Sequence, residues 1–414
     1  MTAMYPTVRI TDIAEVKGGK RMPANAALVT TRTSHPYIRG RDIKDGKIAS
    51  DELLYVRDED FVQISRYTVN HGDVCITIVG NIGDVGITPA NLHGASLTEN
   101  AVKLVNLRED IDSHFLAFAL LTPDAQSQMK LSAAGAAQAK LGIYKVNEIK
   151  IAAPPLPVQQ RIAGILSAYD ELIENSQRRI KILEAMARSL YREWFVHFRF
   201  PGHERHARVD SFLGEIPQGW EVATFGELYN TSSGGTPSRK RPEYFNGGNI
   251  DWVKSQELLD DFIISTDERI TDAALMNSSA KIFPSNTVLV ALYGATIGKL
   301  GILAREAATN QACCAVLPKV SAFGREFAFL TLLQNRDRII GLRLGAAQQN
   351  ISQALLRNLD CIKPPGDLVE SFAERTAPLF DGILVLQRKI QTLRRTRDLL
   401  LPRLLSGQID LEAA

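Results

Sequence analysis

Residues 345–365 read GAAQQNISQALLRNLDCIKPP, and residues 135–155 read GAAQAKLGIYKVNEIKIAAPP. Both open Gly-Ala-Ala-Gln, both close Pro-Pro, and they align without a gap at a shift of 345 − 135 = 210, about half of the 414-residue chain. The same shift carries Gln177-Arg178-Arg179-Ile180 onto Gln387-Arg388-Lys389-Ile390, and Leu183 onto Leu393. Upstream, HGDVCITIVGNIGDVGI (71–87) matches SNTVLVALYGATIGKLGI (285–302) with one inserted residue, and PYIRGRDI (36–43) matches DWVKSQEL (251–258). A unit of about 200 residues is therefore present twice in tandem, too long for a solenoid repeat.

Each copy has two parts. Residues 1–155 and 215–365 carry short β-branched runs, such as CITIV and TVLVALY, closed by glycine-rich turns, which predicts buried strands among scattered helices. The following stretches are helical. Ile162, Leu166, Tyr169, Ile173, Ser176, Ile180, Leu183, Ala187, Leu190 and Trp194 recur at alternating steps of four and three, the seam of a coiled coil with a polar break at Ser176. The second copy repeats the seam as Phe372, Leu379, Ile383, Leu386, Ile390, Leu393, Leu400 and Leu404, interrupted at Thr376 and Arg397. Pro378 is expected to kink or delay this second helix. Pro154-Pro155 and Pro364-Pro365 end each globular part before its helix.

The expected organisation is a first head (1–155), a long spacer helix (156–200), a linker (201–214), a second head (215–365), a second spacer helix (366–406) and a tail (407–414). A helix of about 38 residues at ~1.5 Å per residue is roughly 57 Å long. The second seam needs a partner, and the first helix, packed antiparallel, supplies one. The fold class is thus α+β: two mixed α/β globular domains separated by two long antiparallel helices, related by an internal pseudo-two-fold axis.

Composition sets bounds. With 45% hydrophobic and 23% charged residues the chain is an ordinary globular protein with room for two or three cores. No apolar run approaches the roughly 20 residues that span a bilayer. The opening MTAMYPTVRI lacks a signal-peptide apolar region, so a cytoplasmic location without membrane contact is expected. Cys75, Cys313, Cys314 and Cys361 show no C-x-x-C spacing and read as reduced core residues. With a net charge of only +2, any surface for nucleic acid must be built locally.

Three motifs resemble catalytic or metal sites and fail on inspection. GATIGKLG (294–301) has three residues between its glycines and Leu300 after Lys299, where a phosphate-binding loop needs four and a Ser or Thr. Asp124, Glu148 and Lys150 suggest a nuclease, but the second copy replaces Glu148 by Asn358 and Lys150 by Asp360. His197, His203 and His206 fit a packed hinge better than a metal site. The motif expected of an enzyme methylating a base amino group is absent, so no catalytic residue and no metal ligand is assigned.

The basic and amide side chains gather in corresponding loops of the two heads. The first offers Lys17, Lys20 and Arg21 in VKGGKRMP, Arg39 and Arg41 in PYIRGRDI, and Gln138 and Lys140 after GAAQ. The second offers Ser233, Thr236, Ser238, Arg239, Lys240 and Arg241, then Lys254 and Gln256, Tyr293 and Lys299, and Gln348, Gln349 and Asn350. Glycine lets backbone approach phosphate, arginine forks onto phosphate or guanine, and amides pair with adenine edges. The same residues also suit solvated turns and helix caps. RRIK (178–181) and RKIQTLRRTR (388–397) add an exposed basic helix face, open to DNA, to a protein partner or to solvent alone.

These features together resemble the specificity subunit of Type I restriction–modification systems. The carriers are the GGTPSR loop, YFNGGNIDWVKSQEL, LYGATIGKLGI, TNQACCAVLP (309–318), GAAQQNIS, and PPLPVQQRIAGILSAYDELIENSQRRIKILE (154–184). The resemblance implies a non-catalytic chain whose two target recognition domains each read half of a split double-stranded DNA sequence, with the long helices fixing the gap. It implies two methyltransferase subunits using S-adenosylmethionine and restriction subunits using ATP and Mg, with no cofactor in this chain. The heads differ, GGKRMP standing against GGTPSR, so an asymmetric target is expected. A DNA-acting enzyme (nuclease or fused methyltransferase) and a two-headed protein adaptor are the alternatives.

Overall fold

The computed structural model describes residues 5–134, 139–342, 350–406 and 408–409. The chain forms two compact units, one made of Met1–Ile173 with Thr392–Ala414, the other of Glu174–Gln391.

The first unit is built on a six-stranded sheet in the order Glu15–Gly18, Ala101–Val105, Val74–Thr77, Val85–Ile87, Gly46–Ile48, Ile43–Lys44. The two long apolar runs, Val74–Thr77 and Ala101–Val105, are buried throughout and sit inside the sheet. Alternation sorts their side chains between faces. Val74, Ile76, Val102 and Leu104 join the core under the helix Ser113–Leu120 and the long helices, while Cys75 and Ala101 join Ile38, Ile43 and Leu97 on the other side. A small sheet of Leu54–Val56, His35–Ile38 and Ser96–Leu97 flanks this second face.

The second unit repeats the plan. Its main sheet runs Tyr229–Ser233, Cys313–Pro318, Val288–Ala291, Leu300–Leu303, Asp261–Ile263. Its small sheet pairs Ile250–Val253 in parallel with Ala307–Thr309, as His35–Ile38 pairs with Ser96–Leu97. The duplication thus extends to strand order and direction.

Two long helices, Leu156–Tyr191 and Gly366–Leu405, each contribute a portion to each unit. The first starts directly after Pro154-Pro155. Gln159, 1% exposed, anchors that start: its amide nitrogen donates to the carbonyls of Asp110 (2.9 Å) and Pro154 (2.7 Å), and its oxygen accepts the Asp112 N–H (3.0 Å). A π-turn, Arg192–Val196, ends it and places Trp194 and Phe195 against Phe372. Inside the first unit the helix portions run antiparallel, Ile162 and Leu166 packing in one core with Leu401 and Leu404. Inside the second, Leu183 lies beside Gly382 and Tyr191 beside Phe372, again antiparallel.

The seam positions are filled unevenly. Ile162, Leu166, Ile173, Ile180, Ile383, Leu386 and Ile390 are buried, whereas Tyr169, Leu183, Leu190, Leu379, Leu393 and Leu400 are half-buried. Neighbouring Asp170, Tyr191 and Phe380 are buried instead, the drift expected when a helix keeps 3.6 rather than 3.5 residues per turn. The polar interruptions are satisfied rather than disruptive. Thr376 is fully buried and its hydroxyl donates to the Phe372 carbonyl at 2.9 Å. Arg397 forms a largely buried ion pair with Asp170 at 2.5 Å. The expected delay at Pro378 does not occur: the helix is continuous from Gly366 to Leu405. Pro378 and Glu374, whose carbonyl loses its helical donor to the proline, are both exposed, so that carbonyl can turn to water.

Among the described residues no helix is long and apolar enough to cross a membrane. All four cysteines are buried and free, and burial raises their thiol pKa values, that of Cys75 to about 12.

Candidate nucleic-acid interface

The two glycine loops are fixed in the same way. Gly19 has no room for a side chain, since a Cβ would lie 2.0 Å from the Thr98 carbonyl; Gly234 stands equally close to that of Thr309. The next residue donates its N–H to the neighbouring strand, Lys20 to Leu97 (2.8 Å) and Gly235 to Thr309 (3.0 Å). An aromatic from the small sheet then clasps the same residue's carbonyl: the Tyr37 hydroxyl on Lys20 and the Trp252 indole on Gly235, both at 3.1 Å. Strand register makes Gly18, opposite Val102, the counterpart of Ser233, opposite Cys314. Arg21 therefore occupies the place of Thr236, so the glycine pairs are offset by one residue.

The following residues show the same equivalence. Arg21 Nε donates to Glu99 Oε1 at 2.8 Å, and Thr236 Oγ1 donates to Gln311 Oε1 at 2.5 Å. Burial raises the Glu99 pKa, but hydrogen bonds from Arg21, its own backbone and Thr98 outweigh it, so the carboxylate stays ionised. Glu99 and Gln311 were not among the residues singled out from sequence. Their signal was there: TEN (98–100) and TNQ (309–311) follow the strands that pin the glycines.

A second cluster lies in the second head. Arg239 meets Glu268 at 2.5 Å through Nη1 and 3.1 Å through Nη2, while its guanidinium lies over Phe245 (4.4 Å) and Trp252 (5.2 Å). Lys254 Nζ reaches Glu268 at 2.9 Å. The hydrogen bonds from Arg239 and Lys254 hold the Glu268 carboxyl down at about 2. Arg241 Nη1 donates to the Tyr244 hydroxyl at 2.9 Å. Lys254 and Arg39 also share a local motif, each N–H capped by the acid three residues on, Glu257 at 2.6 Å and Asp42 at 2.9 Å. Arg39 additionally clasps Asp42 through Nε and Nη2, both at 2.8 Å, and is only 17% exposed.

The remaining sequence candidates are spread over several settings. Lys17 pairs with Glu15 (3.0 Å), Lys299 with Asp260 (2.9 Å), and Lys20 lies 5.6 Å above the Tyr67 ring. Arg41, Ser238, Lys240 and Gln256 are exposed, and Ser233 accepts the Gln353 amide at 2.9 Å. Lys140 bridges Val79 and Asn350 bridges Tyr293, which brings the chain after each GAAQ beside the equivalent glycine turn of its head. Gln138, Gln348 and Gln349 lie outside the described residues.

The side chains of the catalytic look-alikes have partners of their own. Lys299 of GATIGKLG is bound to Asp260, which Arg336 also grips. Asp124 accepts from Gln128 (2.8 Å) while Glu148 faces Arg9 (3.6 Å). His203 and His206 ring nitrogens meet the carbonyls of Phe200 (2.9 Å) and Gln218 (3.4 Å). Among the described residues no group of three His, Cys, Asp or Glu side chains could hold a metal.

Comparison with known proteins gives a consistent result. The family model described as Type I restriction modification DNA specificity domain matches residues 4–185 and 217–367, one stretch in each copy. The Type I restriction enzyme MjaIX specificity subunit of Methanocaldococcus jannaschii is 24% identical, over 98% of this chain and 93% of that one. The HindI specificity subunit of Haemophilus influenzae is 23% identical over 64% of this chain and 70% of its own. Among solved structures, a Type I restriction–modification S subunit from M. genitalium shares the fold, with a TM-score of 0.61 at 16% identity, over 97% of this chain and 96% of that one.

Proposed function

The chain belongs to the Type I restriction modification DNA specificity family, and from that premise we propose that it is the sequence-reading, non-catalytic subunit of a DNA-modifying assembly. Its ligand is double-stranded DNA with a split target. The first head (1–155) addresses one half, the second (215–365) the other, and the two long helices keep the gap between the halves constant.

One observation carries this reading. The heads share strand order, pinned glycine loops and aromatic clasps, yet they differ in the side chains that those supports present: Arg21 with Glu99 in one, Thr236 with Gln311 in the other. A common scaffold with unlike polar rims is what two readers of unlike sequences need, because base edges are distinguished by their donor and acceptor patterns. Methylation and cleavage belong to partners on this reading: two methyltransferase subunits carrying S-adenosylmethionine, and restriction subunits using ATP and Mg. No cofactor is assigned to this chain.

The test is modified-base sequencing of DNA from source cells with and without the gene. A gapped adenine-methylation motif that vanishes on deletion is expected. Methylase or nuclease activity from the purified chain alone would instead favour an enzyme, and the absence of a salt-dependent DNA affinity would favour a protein adaptor.

A further inference from the structure

We propose that Arg21 reads a guanine, through O6 and N7 of the base, in the half-site addressed by the first head. This rests on the reading of the chain as a DNA-recognition subunit, and it names one base contact and the residue that makes it.

The loop around Arg21 is held on both sides. Before it, the backbone of Lys20 is tied to Leu97 and Tyr37; after it, Met22 packs on the small cluster of Tyr37, Val56 and Ile64. From this fixed base the Arg21 side chain projects 81% exposed. Glu99 holds it by Nε alone, at 2.8 Å, and the other Glu99 oxygen accepts the Thr98 hydroxyl at 3.3 Å, so the buttress is itself oriented. Among the described residues neither terminal nitrogen of Arg21 has a hydrogen-bond partner. That leaves two parallel N–H donors aimed outward, the pattern complementary to the two major-groove acceptors of guanine.

Phosphate also accepts such a fork, and Glu99 decides between them. A carboxylate beside Nε repels an incoming phosphate but not a neutral base edge, so the arrangement disfavours the backbone contact and keeps the base contact. The other nominated arginines differ: Arg41 is exposed but its Nε stands 3.8 Å from Asp42, too far for the hydrogen bond that orients Arg21, and Arg241 gives one terminal nitrogen to the Tyr244 hydroxyl. Arg39 is turned onto Asp42, and both terminal nitrogens of Arg239 are committed to Glu268. The second head places Thr236 and Gln311 at the same two positions, so the device is confined to the first head.

The experiment uses the full chain, assembled with its methyltransferase subunits, on a randomised DNA pool, reading methylated sites and bound sequences. Wild type should select a split motif with guanine at one position of one half. Arg21→Ala should relax that single position, with a loss of preference of roughly 10- to 100-fold, and leave the other positions and the other half unchanged. Glu99→Gln, which keeps a hydrogen-bonding side chain but removes the charge, should admit backbone contact and relax the same position more weakly. A uniform loss of affinity across all sequences in Arg21→Ala would mark a phosphate contact and overturn the proposal, as would a wild-type motif whose guanines are untouched by the substitution. If wild type selects no motif at all, the recognition reading itself fails, a result separate from either. Thermal melting of the variants checks that folding is unchanged.

Discussion

Arg397 sits where an apolar seam residue would be expected, and the structure answers it with Asp170, itself 8% exposed. Removing one member strands a buried charge, which costs more than the pair contributes. Arg397→Ala is therefore expected to lower stability by roughly 3 kcal/mol, seen as a lower urea midpoint. The copy shift supplies a rescue: Asp170 corresponds to Phe380 and Arg397 to Ala187, which line one crevice in the second unit. Combining Asp170→Phe with Arg397→Ala should recover most of the loss. In that second-unit crevice burial raises the Asp261 carboxyl pKa to about 6, with the charges of Glu184 and Asp260 adding to it. The folded state then binds more protons than the unfolded one, whose carboxyl titrates near 4, so stability falls as pH rises from about 4 through about 6 and stays low above. Asp261→Asn should match wild type at low pH and exceed it at pH 8 by roughly 1–3 kcal/mol, measured by denaturant midpoints at both pH values.

At the scale of elements, the second long helix carries a proline in its interior at no visible interruption. Interior proline costs a helix about 3 kcal/mol, less where the orphaned carbonyl reaches water. Pro378→Ala is expected to raise stability by about 1–3 kcal/mol, read as a higher melting temperature. Both long helices were legible in sequence because their starts are marked by Pro-Pro and their apolar residues recur at helical spacing. Sheet order was not legible, because Gly46–Ile48 pairs in parallel with Val85–Ile87, and no local pattern announces a partner so far along the chain. The same distance hid the clasp of Arg239 and Lys254 on Glu268. The capping of Arg39 by Asp42 and of Lys254 by Glu257 was within reach, since a base followed three residues later by an acid recurs in both copies.

For the whole molecule, the duplication was readable over nearly all of the chain, and what it concealed was the difference between the copies. The offset glycine loops place Arg21 against Thr236, a correspondence that strand register reveals and letter matching misses. Exchanging residues 215–365 for the second head of another family member should change one half of the recognised site and leave the other intact, checked by methylation sequencing; movement in both halves would refute independent heads. The Asp170–Arg397 pair also bears on ancestry. Were the chain rebuilt from two copies of its first half, Asp170 would face Ala187 and lie buried without a counter-ion; from two copies of its second half, Arg397 would face Phe380. At this pair each half has come to rely on a residue of the other, so a return to two identical halves would first have to replace the buried charge.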